Sequence, residues 1–175
     1  DINVEEKPTG EIMVGAGAGT EGGTIGFAVS ENNFLGKGIR LGTNLDITED
    51  SIKGSFSVTN PNFNYTGKSL STSVQSTNID KLSESGYKTT KTGFTFGTGF
   101  EQFENVYFTP KISTFHEDLS TKSTASKNLK KQSGDYIETK FSYGLDYDMR
   151  NQRFQTTDGF RSTFNQSIPL ISEEY

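Results

Sequence analysis

Ile137-Glu138-Thr139-Lys140-Phe141-Ser142-Tyr143-Gly144-Leu145-Asp146-Tyr147-Asp148 alternates without a break. Its odd positions carry Ile, Thr, Phe, Tyr, Leu and Tyr, and its even positions Glu, Lys, Ser, Gly, Asp and Asp. Successive side chains of a strand point to opposite faces. As a strand, this stretch has one oily, aromatic face and one charged face. That pattern fits a sheet standing between a greasy phase and a wet one.

Eight more stretches alternate in the same way. Ile12, Val14, Ala16 and Ala18 stand against Met13, Gly15, Gly17 and Gly19. Ile25, Phe27 and Val29 form a second apolar face, and Ile39, Leu41, Leu45 and Ile47 a third, against Arg40, Gly42, Asn44 and Asp46. Ile52, Phe56 and Val58 follow; Leu70, Thr72 and Val74 make a weaker fifth. Phe94, Phe96 and Phe100 oppose Gly93, Thr95, Gly97 and Gly99. Val106, Phe108 and Ile112 precede the stretch quoted above, and Phe160, Phe164 and Ile168 come after it. Most spans approach the roughly 9–11 residues with which a tilted strand crosses a bilayer.

Composition agrees. Apolar residues make up 30% of the 175, and the mean hydropathy is −0.61. A soluble domain of this length would bury more, so a sheet with a single apolar face is the better account. Net charge is −5 and the pI about 5.0, which argues against general nucleic-acid binding. With no cysteine, disulfides, thiol nucleophiles and thiolate metal sites are excluded. No apolar run reaches the ~18 residues of a membrane helix. The opening DINVEEKPTG lacks the basic and apolar regions of a signal peptide.

The connections divide into two sets. Residues 31–38, 60–67, 101–105 and 150–159 read as compact turns, whereas 78–91 and 116–135 read as long polar loops. Short turns on one side and longer loops on the other match outer-membrane barrels. Phe34, Phe63, Tyr65, Phe103, Tyr107, Phe154 and Phe160 gather near the compact turns, where they would form an aromatic girdle. Two of these turns look related, since Phe34 and Phe63 occupy matching places one hairpin apart.

Catalytic signals are sparse. His116 stands alone in His116-Glu117-Asp118 and reads as part of a solvated loop at a strand end. Glu138, Asp146 and Asp148 share a wet face, where Lys140 and Lys111 would balance them rather than leave a catalytic pair. Gly15-Ala16-Gly17-Ala18-Gly19 mimics a dinucleotide-binding loop, but no helical pattern follows. Lys122, Lys127, Lys130 and Lys131 fall in the longest loop, within reach of lipid phosphates or of solvent alone. No covalent catalysis, metal or cofactor is expected.

Four segments in order carry a family resemblance. They are Pro8-Thr9-Gly10 before a Gly-rich strand, Glu31-Asn32-Asn33-Phe34-Leu35-Gly36-Lys37-Gly38, Ser57-Val58-Thr59-Asn60-Pro61-Asn62-Phe63, and Phe154-Gln155-Thr156-Thr157-Asp158-Gly159. In this spacing the chain resembles the BamA family of outer-membrane assembly factors from Gram-negative bacteria. The resemblance implies an all-β, antiparallel transmembrane β-barrel, present in part, with about nine strands of sixteen. Residues 1–9 would end a POTRA-like periplasmic domain and 10–175 would be the first barrel strands, with the compact turns facing the periplasm. Nine strands ending near Ser172 in a loop cannot close in the ordinary way, which predicts an incomplete barrel or a part of a larger molecule. The family's Val/Ile-Arg-Gly-Phe/Tyr loop motif would lie in the other half.

The resemblance also implies a function. The protein would fold and insert β-barrel proteins in the cell outer membrane. Its partners would be unfolded outer-membrane proteins, accessory outer-membrane lipoproteins, membrane lipid and lipopolysaccharide. The first strand, Ile12, Met13, Val14, Gly15, Ala16, Gly17, Ala18 and Gly19, would be the lateral-gate edge on which a substrate strand pairs. Its glycines admit two readings: a deliberately weak seam, or room for packing and curvature inside the lumen. A passive barrel (porin or secretion translocator), a related translocation assembly factor and a soluble β-sandwich are the competing readings.

Overall fold

The computed structural model describes residues 7–19 and 22–174. Residues 1–6, most of the expected periplasmic piece, lie outside that range. The described chain forms nine strands: β1 Gly10–Gly19, β2 Gly22–Phe34, β3 Ile39–Thr48, β4 Ser51–Asn60, β5 Ser69–Lys81, β6 Tyr87–Phe103, β7 Val106–Thr121, β8 Gly134–Asp148 and β9 Arg161–Glu174. All nine belong to one antiparallel sheet in sequence order, β1 to β9. Among the described residues β1 ladders only to β2, and β9 only to β8, so the sheet is open.

Burial is inverted relative to a soluble domain. Among the described residues Ala125 is the one buried apolar side chain, while Phe94 and Phe96 remain 47% and 43% exposed. The parity of Ile137–Tyr147 continues across the sheet. Phe96 pairs with Ile112, Ile112 with Phe141, and Phe141 with Ile168, all on the apolar face. On that face a row of rings crosses four strands: Phe100–Phe108 at 5.7 Å between centroids, Phe108–Tyr143 at 6.0 Å and Tyr143–Phe164 at 6.1 Å. Such pairs add about 0.5–1.5 kcal/mol each beyond area burial.

The polar face is concave. A hollow of about 570 Å³ takes its lining from Thr59 on β4 through Ser71, Gly97, Lys111 and Ser142 to Ser167 on β9. Small hydroxyls bridge neighbouring strands there, Thr95 Oγ1 to Ser113 Oγ at 2.9 Å and Ser142 Oγ to Ser167 Oγ at 2.9 Å. The apolar face is therefore the convex one. In water a contiguous apolar surface of this extent would be strongly unfavourable, whereas in lipid it is the ordinary outer wall of a barrel.

Glycine makes one interior contact possible. On the concave face the Phe115 ring lies against Gly93, where a Cβ would overlap the Cδ1–Cε1 edge of the ring. Lys91 Nζ sits 5.4 Å from the centroid of that ring and pairs with Glu117 at 2.9 Å.

The two related turns have the same conformation. Gly36 N–H donates to Asn33 O, Lys37 N–H to Phe34 O and Gly38 N–H to Asn33 Oδ1. Tyr65, Thr66 and Gly67 repeat these three bonds onto Asn62 O, Phe63 O and Asn62 Oδ1. Positive φ falls at matching positions too: Leu35, Gly36 and Gly38 in the first turn, Asn64, Tyr65 and Gly67 in the second. One Asn-Phe-x-x-x-Gly frame thus closes two neighbouring turns on the same rim, β2–β3 and β4–β5.

Several expectations are corrected. The two long loops shrink to residues 82–86 and 122–133, because β5 through β8 run on into them. The second loop holds a short helix, Lys127–Lys131, capped by Ser126 Oγ. The asymmetry between the two rims is thus carried by strands rather than loops. β6 has 17 residues against 10 in β1, or roughly 56 Å against 33 Å of extended chain. Beyond the apolar band both faces are wet, so those strand ends carry no alternation. Ser172, expected in a loop, is also in a strand: it pairs with Glu138, and β9 continues to Glu174. It does so past a bulge at Leu170, beside Pro169, which has no N–H to give a ladder. Tyr107 belongs to the concave face, against Gly99, and leaves the girdle. The other six girdle aromatics are exposed near the turns.

Two outcomes follow for the whole protein. Gly93→Ala is expected to lower stability by about 1–3 kcal/mol through overpacking, and Phe115→Ala in the same chain to recover much of the loss; denaturant titration of a double-mutant cycle measures both. Phe96→Arg, in the middle of the apolar band, is expected to cost about 2–4 kcal/mol when the protein is folded into lipid vesicles.

Candidate strand-pairing edge

All eight residues from Ile12 to Gly19 fall in β1, as the alternation requires. β1 and β2 pair along their full overlap, from Gly10↔Glu31 to Gly19↔Gly22. Every residue of β1 is exposed, Ile12 at 72% and Val14 at 73%. Its second edge has no partner strand among the described residues.

The two faces of β1 differ in grip. On the convex side Ile12, Val14 and Ala16 oppose Val29, Phe27 and Ile25, so apolar side chains meet across the ladder. On the concave side Gly15, Gly17 and Gly19 oppose Gly26, Thr24 and Gly22. A Cβ at any of these three β1 glycines would meet nothing within 4 Å. Among the described residues no atom occupies the space beside them, and glycine supplies none of the cross-strand side-chain pairs that stabilise a sheet.

The foot of β1 is built differently. Glu31 shares the convex parity of Ile25, Phe27 and Val29, a carboxylate ending an apolar row. Its Oε1 accepts hydrogen bonds from Thr9 Oγ1 and from the Asn33 N–H, the latter at 2.7 Å. Asn32 Nδ2 reaches Thr9 O at 3.5 Å. A Cβ at Gly10 would sit 3.2 Å from Glu31 Oε2. Glu31 thus belongs to β2 and not to the compact turn expected at 31–38, and its parity on the apolar row is the signal that marks it.

The charged residues singled out from sequence resolve into ion pairs. Lys140 Nζ lies 2.8 Å from Glu138 Oε1. Arg161 holds Asp146 through both carboxylate oxygens, at 2.8 and 2.6 Å, and Arg150 holds Asp148 at 2.8 Å through each. The counterions of Asp146 and Asp148 are thus Arg161 of the next strand and Arg150 of the turn, not Lys111. Bidentate pairing of this kind fixes geometry as well as charge. These groups, with Glu101 and Tyr107, line a hollow of about 750 Å³ at the compact-turn rim. His116 is not at a strand end: it pairs with Thr92 and Ile137 inside the sheet, and its Nε2 lies 3.5 Å from Asp135 Oδ1. In the basic loop Lys130 Nζ donates to Ser123 O at 2.6 Å.

Comparison with known proteins agrees with this architecture. Among solved structures the chain is similar to BamA from Haemophilus ducreyi lacking POTRA domains 1–3, with a TM-score of 0.69 and 24% identity. The match covers 95% of this chain and 35% of that one, so the chain spans about a third of the length of the protein it resembles. At that identity the likeness bears on the fold. Residues 33–172, most of the chain, match the Omp85 superfamily domain, and the chain belongs to that superfamily.

Proposed function

We propose that this chain is part of an outer-membrane assembly factor that folds and inserts β-barrel proteins without covalent catalysis. In this reading β1 is the lateral-gate edge. The observation that carries it is the state of β1: an edge strand with full backbone pairing on one side and, at Gly15, Gly17 and Gly19, no side-chain contact on its concave face. Membership of the Omp85 superfamily and the convex apolar wall support an assembly or translocation role at the outer membrane of a Gram-negative cell.

The physical basis is backbone accounting. In hydrocarbon each unpaired N–H or C=O costs several kcal/mol. A seam closed by a glycine-poor strand would gain cross-strand packing as well as hydrogen bonds and would resist opening. A seam closed by β1 gains mainly the hydrogen bonds. An incoming extended strand supplies the same hydrogen bonds, so exchange of partners is close to balanced. The substrates are then unfolded outer-membrane proteins. Accessory lipoproteins at the periplasmic rim, and lipid or lipopolysaccharide around the wall and near Lys122, Lys127, Lys130 and Lys131, complete the proposed partners. Residues 7–9 lead into β1 and, with 1–6, would end a POTRA-like domain.

Photo-crosslinkers placed from Ile12 to Ala18 in the whole protein are expected to capture folding outer-membrane proteins well above a control at Val74 in β5. Equal capture at both sites, together with plain channel conductance, would select a passive barrel instead. Supplying side chains with Gly15→Val and Gly17→Val is expected to tighten the strand by up to about 1 kcal/mol, and to slow substrate folding about fivefold in proteoliposomes without loss of barrel stability.

A further inference from the structure

Acid and base are segregated on the long-strand rim. The whole chain has a net charge of −5, yet from Leu119 to Gly134 it carries Lys122, Lys127, Lys130 and Lys131 and no carboxylate. The strands below hold acids that already have partners: Asp80 with Lys88 at 3.4 Å, Glu117 with Lys91 at 2.9 Å and Asp135 with His116 at 3.5 Å. Glu84 and Asp118 are the remaining carboxylates of this rim, and neither pairs with a lysine of the loop. Among the described residues Lys122, Lys127 and Lys131 make no side-chain hydrogen bond or ion pair, and all three are exposed.

These lysines ride on a built loop. Lys122 N–H donates to Gly86 O at 2.7 Å, which ties the β7–β8 loop to the β5–β6 loop. A Cβ on Gly86 would lie 2.5 Å from Thr124 Oγ1 and 2.7 Å from the Ala125 nitrogen, so the two loops meet on a glycine. Ala125 is buried at that contact. Ser126 Oγ accepts from Leu129 N–H and caps the helix Lys127–Lys131. Lys130 Nζ folds back to Ser123 O, and Tyr136 O–H donates to Gln132 O at 2.8 Å. Lys127 and Lys131, one turn apart, share a helix face.

Their height decides what they meet. Ile112 is the last apolar side chain that β7 turns to the convex face, and His116 the first ionisable one. Lys122 follows His116 by six residues, about 20 Å of extended strand and roughly 15 Å of height at a barrel tilt of ~40°. The headgroup layer adds only about 5–8 Å to the hydrocarbon on each side. The loop therefore stands clear of the headgroups, level with any saccharide that the surrounding leaflet carries.

We propose that the clasped loop 122–133 binds the phosphate-bearing core saccharide of an outer-leaflet glycolipid through Lys122, Lys127 and Lys131. The proposal rests on the outer-membrane reading above and names the chemistry of the lipopolysaccharide contact given there. Lysine is a point-charge phosphate binder and lacks the planar fork that selects carboxylates. A ligand carried by the surrounding leaflet is present at high effective concentration, so a few charge contacts hold it. The clasp fixes the lysines in advance and reduces the ordering cost of binding.

The test is lysine acetylation, read by mass spectrometry, on the whole protein in phospholipid vesicles of three kinds. One contains lipopolysaccharide with a phosphorylated core, one lipid A alone, and one lipopolysaccharide stripped of its core phosphates. Lys122, Lys127 and Lys131 are expected to react about fivefold more slowly with the phosphorylated core than with either of the others, while Lys37 on the opposite rim reacts equally in all three. Gly86→Val, which opens the clasp and keeps every lysine, is expected to remove most of that protection; diffuse attraction would survive it. Equal protection by lipid A would mean headgroup contact, and equal protection by inorganic phosphate a free-anion site; either overturns the proposal, as does reactivity that is the same in all vesicles. Failure of the parent protein to insert would overturn the outer-membrane reading and this site with it. Insertion and substrate capture without protection would remove the site and leave the gate.

Discussion

Every part of this structure answers to one requirement: a backbone in hydrocarbon must find all its hydrogen bonds within protein. Among the described residues nine antiparallel strands meet it along eight ladders. Once the ladders exist, the side chains are left to decide only which phase each face meets. The alternation of the sequence is that decision written out. The convex face takes Phe, Ile, Leu and Val; the concave face takes Ser, Thr, Gly and paired charges.

The interior solves a different problem from a soluble core. Among the described residues large side chains on the concave face are few, and cohesion there comes from small hydroxyls, from ion pairs and from rings laid on glycine. Phe115 over Gly93, with Lys91 above and Glu117 beyond, shows all of these in one place. Asp146 and Asp148 follow the same rule, each clasped by an arginine through two bonds. Such pairs contribute little when freely solvated, but bidentate geometry at the base of a half-enclosed wall also fixes how β8, the turn after it and β9 meet.

How much of this was legible depended on whether a segment faces two phases or one. Where one face is greasy, as from Ile137 to Tyr147, a period of two is unmistakable and the strand was read directly. Where β6 and β7 rise clear of the band, at Tyr87-Lys88-Thr89-Thr90-Lys91 and at His116 to Thr121, both faces are wet and nothing alternates, so strand was read as loop. Local irregularity hid other features. The bulge between Glu101 and Phe103 shifts the phase next to Tyr107, so proximity to a turn misled where parity would not have. Pro169 and the bulge at Leu170 disguised the end of β9. Arg161 finds Asp146 only after the turn folds back, and no spacing rule in the sequence announces that; Arg150 finds Asp148 two residues away. The repeated Asn-Phe-x-x-x-Gly turn was visible because its chemistry is local.

The two edge strands make the sharpest contrast. β9 carries Phe164, Ile168, Leu170 and Ile171 on or beside its apolar face, large side chains that a neighbouring strand would pack against and hold. β1 carries Ile12, Val14 and two alanines on the equivalent face and three glycines behind them. Apart from the N–H that β9 lacks at Pro169, the difference between them lies in cross-strand packing. An edge rich in such packing forms a joint that, once made, stays made. An edge poor in it makes a joint that any strand of the right length can compete for. Of the two strands β1 is the one poor in such packing, because glycine occupies its concave face from Gly15 to Gly19.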